Sequence, residues 1–204
     1  MGEMTDSRDG QTYKTVTIGT QTWMAENLNF ETENSYCYND SAEYCAKYGR
    51  LYTWAAAMDS AGIWSTNGKG CGYRHDWTDR TNCSPTYPLR GVCPEGWLLP
   101  SGTELHALFA AVGGKSTVGK VLKSTSGWYD DGNGTDAYAF SALPAGYRNY
   151  DGSYHDEGKY ALFWSSGELD NTRADGMRLY YGKELVFVYD IVNAIGLSVR
   201  CLKD

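Results

Sequence analysis

The stretch CPEGWLLPSGTELHALFAAVGG, residues 93–114, carries the strongest local signal in the chain. Ser101 and Glu104 stand in the S-x-x-E spacing of a capping box, in which each side chain satisfies a backbone N–H of the other's turn. Leu105, Leu108, Phe109 and Val112 then recur at i, i+3, i+4 and i+7, which places them on one apolar stripe, and Gly113-Gly114 ends the run. The spacing predicts an amphipathic helix that opens at Ser101 and buries one face.

Outward from this helix the pattern changes. Residues 8–30, RDGQTYKTVTIGTQTWMAENLNF, are two runs rich in β-branched and aromatic residues around Ile18-Gly19-Thr20, a hairpin signature. Residues 31–49 are polar and ring-bearing and read as an extended loop. Residues 51–61, LYTWAAAMDSA, contain strong helix formers and stop at Gly62, which predicts another helix. Residues 62–92 place Trp64, Tyr73, Trp77 and Tyr87 among Gly, Asn and Asp and form no regular element; a loop of that length is usually functional or an insertion. After Lys115, short apolar runs (AYAFSALPAGY, YALFWSSG, GMRLYYG, ELVFVYD and AIGLSVRCL) are separated by turn residues and read as antiparallel strands. Two early helices and a strand-rich second half predict an α+β domain with long loops. Residues 1–7 are left outside it as a linker remnant, and residues 8–204 form the domain.

The chain has 204 residues and a net charge of −7. That charge argues against nucleic acid as a partner, because phosphate-backbone affinity needs clustered Lys and Arg. Unbroken apolar runs such as 54–58 and 185–189 are far shorter than the ~20 residues of a membrane helix, so no membrane span is expected. Aromatic residues make up 14% of the chain, and 17 Tyr stand against 5 Phe. Rings with a polar tip suit surfaces and interfaces. The six cysteines include no C-x-x-C pair, which favours disulfides over zinc or thiol redox chemistry. Fifteen pairings exist; spacing favours Cys37–Cys45 and Cys71–Cys83 as local loops and Cys93–Cys201 as a long bridge, each contributing about 2–4 kcal/mol. Such a framework implies a secreted or cell-surface protein.

The segments DGQTYKTVTIGTQTWMAENLNF, CPEGWLLPSGTEL, FSALPAGYR (140–148), FWSSGE (163–168) and GLSVRCLKD together resemble the Fibrobacter succinogenes major paralogous domain, a bacterial surface and secreted module, over residues 9–204. The chain departs from that pattern at Ala139, where glycine is expected in a turn. The Cys-x-x-Gly-Trp-x-Leu-Pro entry into the helix, the Trp-Ser-Ser strand and the final Val-Arg-Cys strand are similar to the C-type-lectin-like fold, including its formylglycine-generating branch. The resemblance implies a single domain with its ends close together and a bridge from the second helix to the last strand, which Cys93 and Cys201 fit. It does not imply that branch's catalysis, which needs two redox-active cysteines near the C-terminus, where only Cys201 stands.

Other chemistry is weaker. No G-x-S-x-G is present, and His106 falls inside the helix. A glycoside hydrolase needs two opposed carboxyl groups, and Asp130, Asp131, Asp151, Asp156 and Glu157 are the candidates. The loop WYDDGNGTDAY offers Asp130, Asp131, Asn133 and Asp136 as oxygen ligands for calcium, without the EF-hand pattern; a surface turn is the plainer reading. No other cofactor is suggested. The positive signal is ring-rich loops, since sugar rings stack on Trp and Tyr while Asp, Asn and Arg bond the hydroxyls. Tyr73, His75 and Trp77 supply one such mixture, and Tyr147, Arg148, Tyr150, Tyr154 and His155 another; Trp128, Tyr180 and Tyr181 add to them. Trp23, Trp54, Trp97, Phe163 and Trp164 are assigned to the core. The expectation is a non-catalytic binding or adhesion module whose partner is a polysaccharide or a surface protein; protein-binding loops use the same residue mixture.

Overall fold

A computed structural model describes residues 1–72 and 83–204. The stretch left as a linker begins with strand β1 (Gly2–Thr5), which pairs antiparallel with β2 (Thr12–Ile18), and Asp6 beyond it is buried, held by Arg8. The predicted hairpin forms from β2 and β3 (Gln21–Met24), with Ile18 opposite Gln21. Gly19 turns the chain at φ +61°, a conformation glycine adopts without a Cβ clash. β4 (Ser35–Tyr36) follows. Within the expected extended loop, Ala42–Tyr48 is instead a short helix, α1, stopped at Gly49. Its Cys45 bridges back to Cys37, so the disulfide fixes a segment with too few apolar positions to show helical periodicity.

The helix expected over 51–61 is cut to one turn. Leu51–Thr53 is strand β5, and α2 covers Trp54–Ala57. Asp59 adopts φ +55°, and its buried carboxylate accepts the backbone N–H groups of Ile63, Trp64 and Ser65, which turns the chain away from the helix axis. Further on are β6 (Trp97–Leu98) and α3 (Gly102–Ala111), the latter with its capping box from Ser101 and Glu104 in place. α4 (Val118–Leu122) is a short helix the sequence reading did not separate from the strand region. The run 137–147 supplies only the start of β7 (Tyr147–Arg148), which pairs with β8 (Tyr154–His155). Before it, Ala139 takes φ +55°, the left-handed conformation that glycine accepts more readily. The remaining strands are β9 (Tyr160–Asp170), β10 (Arg173–Tyr180), β11 (Phe187–Val192), β12 (Gly196–Ser198) and β13 (Leu202–Lys203).

The strands form two sheets, ordered β1-β2-β3-β13-β6 and β11-β10-β9-β12-β5-β4, with β7 and β8 branching from β12. Pairing is antiparallel except between β12 and β9, where Ser198 lies beside Phe163 in parallel. The chain is therefore α+β and mostly β. α3 packs Leu105, Leu108 and Phe109 into a core with Trp23, Phe140, Phe163 and Met177. A second core gathers Tyr52, Trp54, Trp97 and Trp164 around the Cys93–Cys201 bridge. The buried indoles of Trp54 and Trp164 donate to the Ser165 and Tyr52 carbonyls, so neither N–H is stranded. All three disulfides join the pairs that spacing favoured.

Candidate functional site

β7 and β8 form a hairpin whose tip is Asn149–Ser153, closed by the Asn149 N–H to the Ser153 carbonyl at 2.7 Å and by the Asp151 carboxylate, which accepts from Ser153. That hydroxyl and amide hold Asp151 below the usual carboxylate range. Just before the hairpin, Gly146 crosses the 155–157 segment so closely that a Cβ would sit 2.2 Å from the His155 carbonyl oxygen. The crossing pins the register: Tyr147 opposes His155, and Arg148 opposes Tyr154.

Alternation then divides the predicted residues between two faces. Arg148 stacks on Tyr36 at 3.8 Å, and Tyr154 donates its hydroxyl to Asp40, so this pair belongs to a packed surface around Tyr38 and Tyr44. Burial and Asp40 push the Tyr154 phenol up to about 12. On the other face Tyr147 lies 5.4 Å from His155 and lines a cleft of about 440 Å³ together with Asn149 and Tyr150. Tyr150, at the tip, is 72% exposed. Burial also raises the Tyr147 phenol, so it is a neutral hydroxyl at ordinary pH.

The opposite wall comes from the large sheet. Tyr160 and Leu162 of β9, Arg178 of β10 and Tyr189 and Ile191 of β11 face the cleft. Gly176 lies directly opposite Tyr189, and a Cβ there would meet Ile191 at 2.8 Å, so this glycine lets the floor close up. The Arg178 guanidinium sits 3.9 Å over Tyr189 and 5.8 Å from Tyr160. Tyr180 and Tyr181 adjoin the cleft rather than line it: Tyr160, Tyr180, Tyr181 and Tyr129 form a chain of ring contacts at 4.8, 4.4 and 5.3 Å.

Trp128 departs from its expected role. It is only 6% exposed, its indole N–H donates to Ser124, and the Lys123 ammonium lies 5.1 Å from its ring. Lys123 donates in turn to the carbonyls of Tyr180 and Tyr181, and burial pushes its ammonium below the ordinary lysine range. Apolar packing with Phe140 and Leu179 claims this ring, which its Gly/Asp-rich flanks had made look solvent-facing. In the proposed calcium loop, Asn133 accepts the Trp128 N–H and the Asp136 carboxylate accepts the Ser141 amide and hydroxyl, while Asp130 and Asp131 turn the chain at positive φ. Among the described residues no group of three His, Cys, Asp or Glu side chains is placed to hold a metal ion. Tyr73, His75 and Trp77 lie outside the described residues.

The candidate acids are dispersed. Asp156 lines the cleft and pairs with Lys159 at 3.8 Å, whereas Glu157 accepts from Tyr48 and Lys47 on the far face. Reading loops alone missed Tyr160, Arg178, Tyr189 and Ile191, because they are strand residues. The available signal was period-two alternation in YALFWSSG, GMRLYYG and ELVFVYD, which puts alternate side chains on one sheet face.

A family model described as the Fibrobacter succinogenes major domain matches residues 16–203. Comparison with curated proteins and with solved structures gives no match.

Proposed function

From the premise that the chain belongs to the Fibrobacter succinogenes major domain family, we propose that it is a non-catalytic extracellular binding module that takes a glycan into the cleft between the β7–β8 hairpin and the β9–β11 wall. The observation that carries this reading is the composition of the cleft: four tyrosine rings, Tyr147, Tyr150, Tyr160 and Tyr189, with polar Asn149, Asp156 and Arg178 between them. Ring faces suit the C–H faces of sugars, and polar groups at the margins suit their hydroxyls; about 440 Å³ is within the range of small-ligand sites. The reading needs no metal. Three disulfides support a location outside the cytoplasm.

The same premise supports reading the fold as C-type-lectin-like. β1 near the N-terminus and β13 near the C-terminus share one sheet, and Cys93–Cys201 ties the lead-in to α3 to the segment before β13. Binding to insoluble and soluble plant and bacterial polysaccharides tests the functional reading. The wild-type protein is expected to bind at least one of them, and Tyr150→Ala to weaken that binding about tenfold with an unchanged melting temperature. Absence of binding to every polysaccharide would retire it. A protein-interaction role is the second reading, favoured by the open edge of β11, where Phe187 and Val192 are exposed.

A further inference from the structure

Among the described arginines, Arg178 differs from most in how its donors are used. Arg8, Arg50, Arg90, Arg173 and Arg200 each donate hydrogen bonds to carboxylates, carbonyls or a hydroxyl. Arg148 also lies over a ring, Tyr36, and its Nε is buried without a partner, but it packs beside Tyr154 on the far side of the hairpin and does not line the cleft. Arg178 is stacked on Tyr189 and, among the described residues, makes no hydrogen bond or ion pair. Its fork of N–H donors is half-buried, oriented by a ring and free.

The charges around it point the same way. Two carboxylates line the cleft, and each already has a cation: Asp156 with Lys159 at 3.8 Å and Asp190 with Arg173 at 2.6 Å. Among the described residues that line it, Arg178 is thus the uncompensated charge of the cleft, in a protein whose net charge is −7. A guanidinium fork matches a carboxylate in bidentate geometry, and charge-assisted bonds of this kind are the strong ones. A neutral sugar would leave the charge unpaired.

We propose that the cleft selects glycans bearing ring carboxylates, that is uronic acid residues, with Arg178 as the carboxylate fork and the tyrosines as the stacking surface. This rests on the cleft being the sugar site. The tyrosines supply binding that any sugar shares, and Arg178 supplies the preference for the acidic one.

The test is calorimetric titration of the intact protein with oligogalacturonate and oligomannuronate, each as the free acid and as its methyl ester. At least one free acid is expected to bind about tenfold or more tightly than its ester, from the size of charge-assisted hydrogen bonds. Arg178→Gln is expected to remove that preference, leaving acid and ester within about twofold, with an unchanged melting temperature. Arg178→Lys, which keeps the charge without the fork, should retain only part of it. If Arg178→Gln keeps the full preference, or if esters and neutral polysaccharides bind through Tyr150 as well as every acid, the uronate inference falls and the glycan reading survives. If no uronate and no polysaccharide binds, both fall.

Discussion

Arg200 and Arg178 are both guanidinium groups laid over pairs of aromatic rings, and their surroundings differ in every other respect. Arg200 lies 4.5 Å from Phe140 and 5.3 Å from Phe163, is 1% exposed, and donates to the Asn27 side chain and to the carbonyls of Met24 and Phe140. Burial lowers it to about 9, which leaves it cationic at neutral pH. With those donors satisfied it acts as a tie between the end of β3, the 140–141 turn and the chain leading into β13. Arg178 lies over Tyr189 and Tyr160 with its donors free and opens to a cleft. The difference teaches that a cation on aromatic rings is structural when backbone carbonyls close around it. It is available for a ligand when the rings alone hold it.

That contrast can be broken in the core first. Replacing Cys93 and Cys201 by Ala removes the bridge with a sequence separation of 108 beside Arg200 and is expected to cost about 4–5 kcal/mol in denaturant unfolding. Removing Cys37–Cys45, with a separation of 8, should cost about 2–3 kcal/mol. Equal losses would show that loop closure is not what the long bridge contributes. Arg200→Ala strands several buried acceptors and should cost about 3 kcal/mol, whereas Arg178→Ala should change stability by less than about 1 kcal/mol and register in binding instead. A large stability loss for Arg178→Ala would make it a second structural tie and dissolve the distinction.

A smaller effect is expected from alkali. Tyr48 and Tyr154 have phenols raised to about 12 against an ordinary value of 10.0, Tyr48 chiefly by burial and Tyr154 by burial and Asp40. The unfolded chain therefore loses these protons first, so their contribution is complete below pH 10 and is lost as pH rises from 10 through 12. The melting temperature should fall across that window, and Tyr154→Phe should flatten part of the fall. A melting temperature constant up to pH 12 would contradict it.

The sequence exposed the frame of the fold well because its decisive elements are local. The S-x-x-E box and stripe of α3, the Gly19 hairpin and the alternating runs of β9, β10 and β11 carry their own periodicity. Helices α1 and α4 did not show, since each is about one or two turns long and carries little periodicity of its own, and α2 was read too long because the Asp59 carboxylate, a contact the local sequence does not reveal, turns the chain after one turn. The site was half legible. Tyr147 and Tyr150 sit in a turn-rich segment that reads as a loop, while Tyr160, Arg178 and Tyr189 come from three strands whose neighbouring registers alone bring them together. Trp128 misled because local polarity cannot reveal that Lys123 and Phe140 fold over the loop.

The central claim is that the tyrosine cleft is the binding surface and the aromatic cores are not. Titrating a bound oligosaccharide while following tyrosine ring resonances by NMR tests this most directly. The account predicts shifts at Tyr147, Tyr150, Tyr160 and Tyr189, with the buried Tyr13 and Tyr52 rings unmoved. Shifts confined to the β11 edge or to the Tyr36, Tyr38 and Tyr154 face, with the cleft rings silent, would contradict it.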